Sequence, residues 1–447
     1  MASVLSSPSL QDLKVRVEEP IILVSPNEKT ERRSIFLSNI DQMHNYYVCT
    51  AHFFNGNADF PPAVVAERLK MGLEKVLVPY DFAAGRLKTN ELDSTDRRLE
   101  IDCTAAGVGF VVASSEYSLH DLGDDFVFSN LGFHYLALDN LWPGDDEDRP
   151  LCIFQVTSFK CGGFAIGFVW NHVLFDGMGA GKFMANLATQ AFVDEKPPEA
   201  IPCNDRHLLA ARSPPVVAFK HPEFSKKPDN YDGDGGLVGD SLDSKIFKLN
   251  PSAVNYLKDK ANNGTRTEGK ITTYNVVAAL IWRCKALSSN CMDRERVSTL
   301  LTSIDIRQRL NPPLPASYCG NAVLFAPASA ECKHLENWPF LELVKVVSDG
   351  IKGFNDEYAR SMIDLLGINR GKVQPYIEYN VSSWMKLGFD EVVYPWGKPI
   401  CFGPLRTVTE TCFLFPGVVD GDVNALVSLP TVEMERFQAY FLDFFHP

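Results

Sequence analysis

The stretch FAIGFVWNHVLFDGMGA, residues 164–180, carries the strongest structural signal in the sequence. Its first part, residues 164–170, is apolar throughout and rich in bulky and β-branched side chains, which predicts a strand buried on both faces. His172 and Asp176 follow this strand, and a helix is predicted at residues 182–192 after a run of small residues. His172 thus lies at the end of a buried strand, beside small residues that let a ligand approach the backbone closely. This position makes His172 a candidate general base.

The spacing of His172 and Asp176 is also compatible with a purely structural pair. A core histidine capped by a nearby carboxylate gives the same pattern, and the chain has nine histidines in which such a spacing can arise. A zinc hydrolase built on these two residues is a weaker alternative, because no third and fourth ligand cluster with them in the sequence. We therefore expect no metal at this site.

The composition is that of a globular protein with more than one core. The chain has 447 residues, 45% of them hydrophobic and 22% charged, which favours two domains. Its net charge of −13 argues against nucleic acid or an anionic membrane as a partner.

The distribution of cysteines and apolar residues indicates a reducing compartment. The 11 cysteines are scattered and form no C-x-x-C pair, so neither a disulfide scaffold nor a zinc ribbon is expected. No stretch reaches the roughly 18 consecutive apolar residues of a membrane span, and the N-terminal residues lack the apolar region of a signal peptide. These observations predict a cytoplasmic protein.

Both halves of the chain mix predicted strands with predicted helices, so the expected class is α/β or α+β with two similar-sized lobes. Residues 1–195 form the predicted N-terminal domain, residues 196–244 a crossover rich in Pro, Gly, Asp and Lys, and residues 245–447 the C-terminal domain. Further predicted strands lie at residues 14–24, 46–54, 98–102, 109–113, 151–159, 245–249, 297–306 and 320–325.

Helical periodicity predicts the main helices of both halves. The helix that begins at Pro61-Pro62-Ala63 should bury Val64, Val65, Leu69, Leu73, Val76 and Leu77. In the second half Thr273 is the predicted cap of a helix at residues 274–287. Other helices are predicted at residues 251–260, 338–351 and 431–445.

Several motifs in order along the chain resemble those of the plant BAHD acyl-CoA transferases. They are LSNID at residues 37–41, His172-x-x-x-Asp176-Gly177, SIDIRQRL at residues 303–310, Ser382-Ser383-Trp384 and Trp396-Gly397-Lys398-Pro399. The resemblance covers nearly the whole chain. It implies a monomer with the two-domain fold of chloramphenicol acetyltransferase and a tunnel between the domains. Acyl-CoA enters this tunnel from one face and an alcohol or amine acceptor from the other, with His172 midway.

The same resemblance implies roles for individual residues. His172 is the base, Trp384 the donor to the oxyanion, and Asp176 pairs with Arg307, although direct orientation of His172 by Asp176 stays an alternative, as does a core role for Trp384. Trp396 and Gly397 belong to a structural motif. The candidate substrate-binding residues are Ser38, Ser382, Ser383, Lys258 and Lys260, although the two lysines also fit an ordinary solvated surface.

The sequence departs from the family in two places. Asn171 stands where many members have a second histidine, and Val393-Tyr394-Pro395 replaces the usual Asp-Phe-Gly before Trp396 and Gly397. Because proline fixes φ and lacks an N–H, we expect a changed packing contact there.

The predicted reaction is transfer of an aromatic acyl group, of hydroxycinnamoyl or benzoyl type, from CoA to an alcohol. A thioester is already activated, so a neutral histidine that deprotonates the acceptor suffices and no bound cofactor is needed. Acetyl-CoA as donor or an amine as acceptor would use the same residues. The alternative from another class is a non-catalytic accessory protein in acyl-CoA metabolism, which the altered residues Tyr394 and Pro395 bring into consideration.

Overall fold

Strands from both halves of the chain form two seven-stranded sheets and one small three-stranded sheet among the residues that the structure describes. The structure is a computed structural model. It describes residues 2–5, 13–90, 98–123, 126, 131–138, 142, 144–192, 201–224, 242–262, 271–289, 294–369, 378–407 and 410–445.

The strands and helices are numbered in chain order. The strands are β1 Ala2–Leu5, β2 Val15–Val17, β3 Ile22–Val24, β4 Ser34–Phe36, β5 Tyr47–Phe54, β6 Arg86–Thr89, β7 Leu99–Asp102, β8 Val108–Ser115, β9 Cys152–Phe159, β10 Phe164–Asn171, β11 Leu242–Leu249, β12 Val297–Asp305, β13 Val323–Glu331, β14 Tyr379–Ser383, β15 Cys401–Pro404, β16 Thr411–Pro416 and β17 Val423–Pro430. The helices are α1 Asn39–Gln42, α2 Pro62–Val76, α3 Gly177–Gln190, α4 Pro251–Asn262, α5 Thr273–Ser288, α6 Cys332–Asn337, α7 Phe340–Gly353, α8 Asp356–Ile368 and α9 Thr431–Phe445.

Strand β10 lies inside the first large sheet, whose order is β15-β5-β10-β9-β8-β2 with β3 also on β8. It pairs antiparallel with β5 on one side and β9 on the other, and all eight of its residues are buried. Apolar side chains pack on both faces of the sheet. The predicted doubly buried strand is therefore confirmed, and its last residue, Asn171, delivers His172 to the edge of the core.

The second large sheet has the order β1-β11-β17-β16-β14-β12-β13. Its apolar face packs against α5, in which Val276 to Trp282 are fully buried. Tyr274 in α5 donates its hydroxyl hydrogen to the carbonyl of Val381 in β14. The helix therefore supports the strand that leads to Ser382 and Ser383.

The two sheets exchange strands between the ends of the chain. β1, near the N-terminus, pairs with β11 in the second sheet, and β15, near the C-terminus, pairs with β5 in the first sheet. The mixed two-domain fold class is confirmed. The boundaries 1–195, 196–244 and 245–447 stay a prediction, since residues 193–200 and 225–241 lie outside the described part of the chain.

Three local predictions are wrong in detail. Residues 14–24 form two strands instead of one, since Pro20 lacks an N–H for the ladder. Val64 in α2 is 37% exposed. The cap of α5 is Thr272, one residue before the prediction, with its side chain accepting from the Asn275 N–H. Helix α8 was not predicted.

Helix α3 begins at Gly177, five residues before the predicted start at 182. The small residues form its first turn because two of them touch backbone from the second half of the chain. A Cβ on Gly179 would lie 2.2 Å from the Cys319 carbonyl oxygen, and one on Gly181 would lie 2.1 Å from that of Leu387. Glycine is a poor helix former, so the tertiary contact decides the structure here.

No helix in the described ranges is both long enough and apolar enough to cross a membrane.

We predict that Gly179→Ala and Gly181→Ala each lower the free energy of unfolding by about 1–3 kcal/mol through overpacking. Gly353→Ala is the matched control, because an added Cβ meets nothing within 4 Å there. It should be neutral or stabilise by up to about 1 kcal/mol. Urea-unfolding midpoints measure all three. Equal midpoints for Gly181→Ala and Gly353→Ala would contradict the close contact with Leu387.

Candidate active site

His172 follows β10 and is held by backbone contacts on both sides. Its N–H donates to the carbonyl of Tyr46 at 2.8 Å, and its carbonyl accepts from the Asn321 side-chain amide at 2.8 Å. The ring is half-buried. Its Nδ1 is inaccessible and has no hydrogen-bond partner among the described residues. Any ring nitrogen that a substrate can reach is therefore Nε2.

Burial lowers the pKa of His172 below its ordinary value of 6.5, while the negative charges of Asp176 and Asp41 act in the opposite direction. Desolvation disfavours the imidazolium form of a histidine. The ring is consequently neutral at neutral pH, which is the protonation state that a general base needs.

Asp176 forms a buried ion pair with Arg307. The two guanidinium nitrogens lie 2.8 and 2.9 Å from its two carboxylate oxygens, and the backbone N–H groups of Gly179 and Ala322 donate to the same oxygens, each at 2.9 Å. Burial opposes ionisation, but the Arg307 charge and these hydrogen bonds hold the pKa of Asp176 below its usual value. Its oxygens thus bind Arg307 and the start of α3, and these four donors do not include the His172 ring.

A second buried ion pair, between Asp41 and Arg206, lies beside the first. The side chains are fully buried and 2.7 Å apart, and Arg206 also donates to the Leu174 carbonyl at 2.7 Å. The Asn321 amide donates to both Asp41 and the His172 carbonyl. These contacts join three distant segments around His172. Sequence reasoning missed Arg206 because it lies in the polar crossover, 165 residues from its partner, with no local signal.

Ser38 stays a predicted substrate-binding residue. It is fully buried and caps α1, where its hydroxyl donates to the Asp41 carboxylate at 2.7 Å and accepts from the Asp41 N–H at 3.2 Å. The LSNID segment therefore supplies a capping box that orients Asp41 towards Arg206.

Lys258 and Lys260 lie on α4, on the helical layer of the second sheet, and both are half-buried. The Lys260 ammonium lies 4.1 Å from the centroid of the Phe444 ring and 3.4 Å from the Phe444 carbonyl oxygen. Lys260 thus contacts the C-terminal helix α9. A role of either lysine in substrate binding stays a prediction.

Ser382, Ser383 and Trp384 lie at the end of β14 and are half-buried. The backbone N–H of Trp384 donates to the Leu414 carbonyl at 2.6 Å. The indole ring of Trp384 packs on Phe413. The turn that follows carries Leu387, whose side chain would collide with a Cβ on Gly177. The structure therefore brings the Trp384 turn against the start of α3, close in sequence to His172.

The Trp396 motif lies at the opposite end of β10 from His172. Trp396 packs on Phe164, the first residue of β10, and eight residues of strand separate that end from His172 by about 26 Å. Tyr394 and Gly397 exchange two backbone hydrogen bonds, at 3.1 and 3.0 Å, and Gly397 has φ 111°. Pro395 therefore occupies a turn position that needs no N–H, and the motif is structural packing.

A second cluster has the serine–histidine–carboxylate hydrogen bonds of a catalytic triad, but its serine is not accessible. His221 Nε2 lies 2.9 Å from Ser361 Oγ, and His221 Nδ1 lies 2.9 Å from Glu223. Ser361 is fully buried, and its oxygen already accepts the N–H groups of Ala218 and Phe219. The cluster therefore fastens the described part of the crossover to α8 and has no free nucleophile.

No group of three or more His, Cys, Asp or Glu side chains that could hold a metal ion occurs in the part of the chain that the structure describes.

Comparisons with known proteins agree with this fold. The chain matches the Transferase family over residues 14–443. It is 46% identical to acyltransferase GLAUCE of Arabidopsis thaliana, with 97% of each chain covered. It is 32% identical to anthranilate N-benzoyltransferase protein 1 of Dianthus caryophyllus, with 94% of this chain and 98% of the relative covered. The crystal structure of vinorine synthase superposes with a TM-score of 0.74 at 20% identity, covering 96% of this chain and 98% of the other.

We predict that Arg206→Met lowers the free energy of unfolding by about 3–5 kcal/mol, because it leaves Asp41 as an unpaired buried charge. Adding Asp41→Asn should restore part of this loss. Lys345→Met is the control: it breaks the exposed pair with Glu342 and should cost no more than about 1 kcal/mol. The measurement is chemical unfolding of the wild type, the two single variants and the double variant. A loss for Arg206→Met no larger than for Lys345→Met would rule out a buried ion pair.

Proposed function

Because the chain belongs to the plant BAHD acyltransferase family and is therefore an acyltransferase, we propose that it transfers an acyl group from CoA to an alcohol, with His172 as the general base. The observation that carries this proposal is the environment of His172. Burial favours its neutral imidazole, and its backbone is fixed by Tyr46 and by Asn321 from the second half of the chain. Its Nδ1 is inaccessible, which leaves Nε2 as the nitrogen for the acceptor.

In the proposed reaction the acceptor hydroxyl donates a hydrogen bond to Nε2 of His172. The hydroxyl loses its proton to Nε2 as its oxygen attacks the thioester carbon, and a tetrahedral intermediate forms. The C–S bond then breaks, and the imidazolium returns the proton to the departing thiolate. The products are an ester and free CoA. A positioned base of this kind contributes a factor of about 10²–10⁴ to the rate.

The oxyanion of the intermediate needs a hydrogen-bond donor, and we assign this role to the indole N–H of Trp384. Support comes from the turn after Trp384, which packs through Leu387 on the start of α3. Trp384 itself is half-buried. Donors that point at developing charge in such a site are a major source of rate enhancement.

The proposed donor is an aromatic acyl-CoA of hydroxycinnamoyl or benzoyl type. Relatives covering nearly the whole chain support this choice by their names, among them omega-hydroxypalmitate O-feruloyl transferase of Arabidopsis thaliana. The anthranilate N-benzoyltransferase similarity gives an amine acceptor specific support as the second candidate, because a neutral His172 can accept a proton from an attacking amine as well.

We predict that purified protein releases CoA thiol from feruloyl-, coumaroyl-, benzoyl- or acetyl-CoA only when an alcohol or amine is present. His172→Ala should lower this rate by about 10²-fold or more. His334→Ala is the control, since His334 is stacked on Trp338 in the second half of the chain, and it should keep the wild-type rate.

Other outcomes of this assay would support other functions. Thiol release without an acceptor would indicate a thioesterase. If folded protein releases no thiol from any of these thioesters, the non-catalytic accessory function is favoured. Activity in His172→Ala would overturn the assignment of the base.

The lowered pKa of His172 predicts the pH dependence of the reaction. The base is active when deprotonated, so kcat/KM should stay constant above the pKa and fall as the pH decreases through it. Because burial lowers this pKa, the acidic limb should lie below pH 6.5. A pH–rate profile of acceptor-dependent thiol release measures the limb. A midpoint clearly above 6.5 would mean that burial does not set the state of His172.

A further inference from the structure

A second histidine packs directly against His172. His44 lies in the turn between α1 and β5, and the centroids of the two imidazole rings are 4.5 Å apart with 31° between their planes. His44 is only 6% exposed. The reaction proposed above makes no use of it.

Filling space does not account for an imidazole at this position. Nε2 of His44 is buried and has no hydrogen-bond partner in the described ranges. A buried polar atom without a partner costs stability, whereas an apolar side chain of similar size would fill the volume without that cost. The polar ring therefore has a contact or a role that packing alone does not supply.

Tyr46 links the two histidines. Its hydroxyl lies 3.2 Å from Nδ1 of His44, and its backbone carbonyl accepts the N–H of His172 at 2.8 Å. Its ring centroid is 5.1 Å from that of His172, and the residue is 49% exposed. Tyr46 thus holds His44 through its side chain and His172 through its main chain.

Burial favours the neutral form of both rings, and more strongly that of His44. Burial, and then the charge of His172, lower the pKa of His44 well below 6.5, with Asp176 acting in the opposite direction. The charged groups that act on His172 are Asp176 and Asp41, which are paired with Arg307 and Arg206. His44 therefore stays neutral while His172 takes and returns the proton.

We propose that His44 is a positioning residue for acyl transfer: its ring, held by Tyr46, excludes water from the buried side of the His172 imidazole and fixes that imidazole with Nε2 available to the acceptor. This inference rests on the proposed function of His172 as the base. His44 acts through His172 and not on the substrate.

The His44 ring fills space beside His172 and also contacts the Tyr46 hydroxyl, and different substitutions remove these two effects separately. His44→Ala removes the ring and opens a space that water can enter. His44→Phe keeps the ring and the volume but loses the contact with the Tyr46 hydroxyl. Tyr46→Phe removes the same contact from the other side and leaves the backbone carbonyl that holds His172.

The experiment measures kcat, the KM for acyl-CoA and the pH–rate profile of the three single variants and of the double variant His44→Phe/Tyr46→Phe, beside an NMR titration of the His172 Cε1–H. We expect His44→Ala to lower kcat by about ten- to a hundredfold and to raise the pKa of His172, because water relieves the burial that lowers it. His44→Phe and Tyr46→Phe should lower kcat less, leave the pKa in place and be non-additive when combined. The KM for acyl-CoA should not change.

A His44→Ala variant with wild-type kcat and an unshifted His172 titration would overturn the inference. So would additive effects of His44→Phe and Tyr46→Phe. If His44→Ala does not fold, the two phenylalanine variants still decide by their combination. Failure of the proposed function appears elsewhere, as activity in His172→Ala, and the NMR titration reports on the His44–His172 contact even if no thioester is turned over.

Discussion

The ion pair between Asp176 and Arg307 is the contact on which the arrangement of the site depends. It joins the end of the loop that carries His172 to the segment after β12, and so it joins the two halves of the chain. Two charges taken out of water are tolerated only when their hydrogen bonds are complete. Here the carboxylate has four donors, two from Arg307 and one each from Gly179 and Ala322. The helix start, the second half and the loop are therefore fixed by one carboxylate.

The sequence predicts the parts of this arrangement that arise from local pattern. The apolar run of β10, the helical spacing of α2 and α9 and the order of the motifs each contain their own signal. The contacts between residues that are distant in the sequence leave no such local signal. Arg206 looks like a charged residue in a polar crossover, and His44 like a residue of a short turn, until the fold places them beside Asp41 and His172. The early start of α3 has no local signal either. Its glycines are required because the backbone of residues 319 and 387 leaves no room for a Cβ there.

The cluster around His221 and the site around His172 differ in whether a substrate has access to the reactive side chain. Ser361, His221 and Glu223 have hydrogen-bond distances that suit nucleophilic catalysis, yet the serine is enclosed and its oxygen is saturated by backbone donors. Within the part of the chain that the structure describes, no carboxylate bonds to the His172 ring, which is half-buried with Nδ1 shielded. For acyl transfer from a thioester the second arrangement is sufficient, because the electrophile is activated and the acceptor needs only a neutral base.

Among the described residues no carboxylate is hydrogen-bonded to the His172 ring, and this affects the pKa of the ring. A histidine–carboxylate dyad stabilises the imidazolium and raises the pKa of the ring. In this chain both nearby carboxylates are bound to arginines, so their effect on His172 is partly neutralised and burial prevails. Burial of the His172 ring, to which the rings of His44 and Tyr46 contribute by packing on it, thus outweighs the charged partners. It sets the direction in which the pKa of His172 moves.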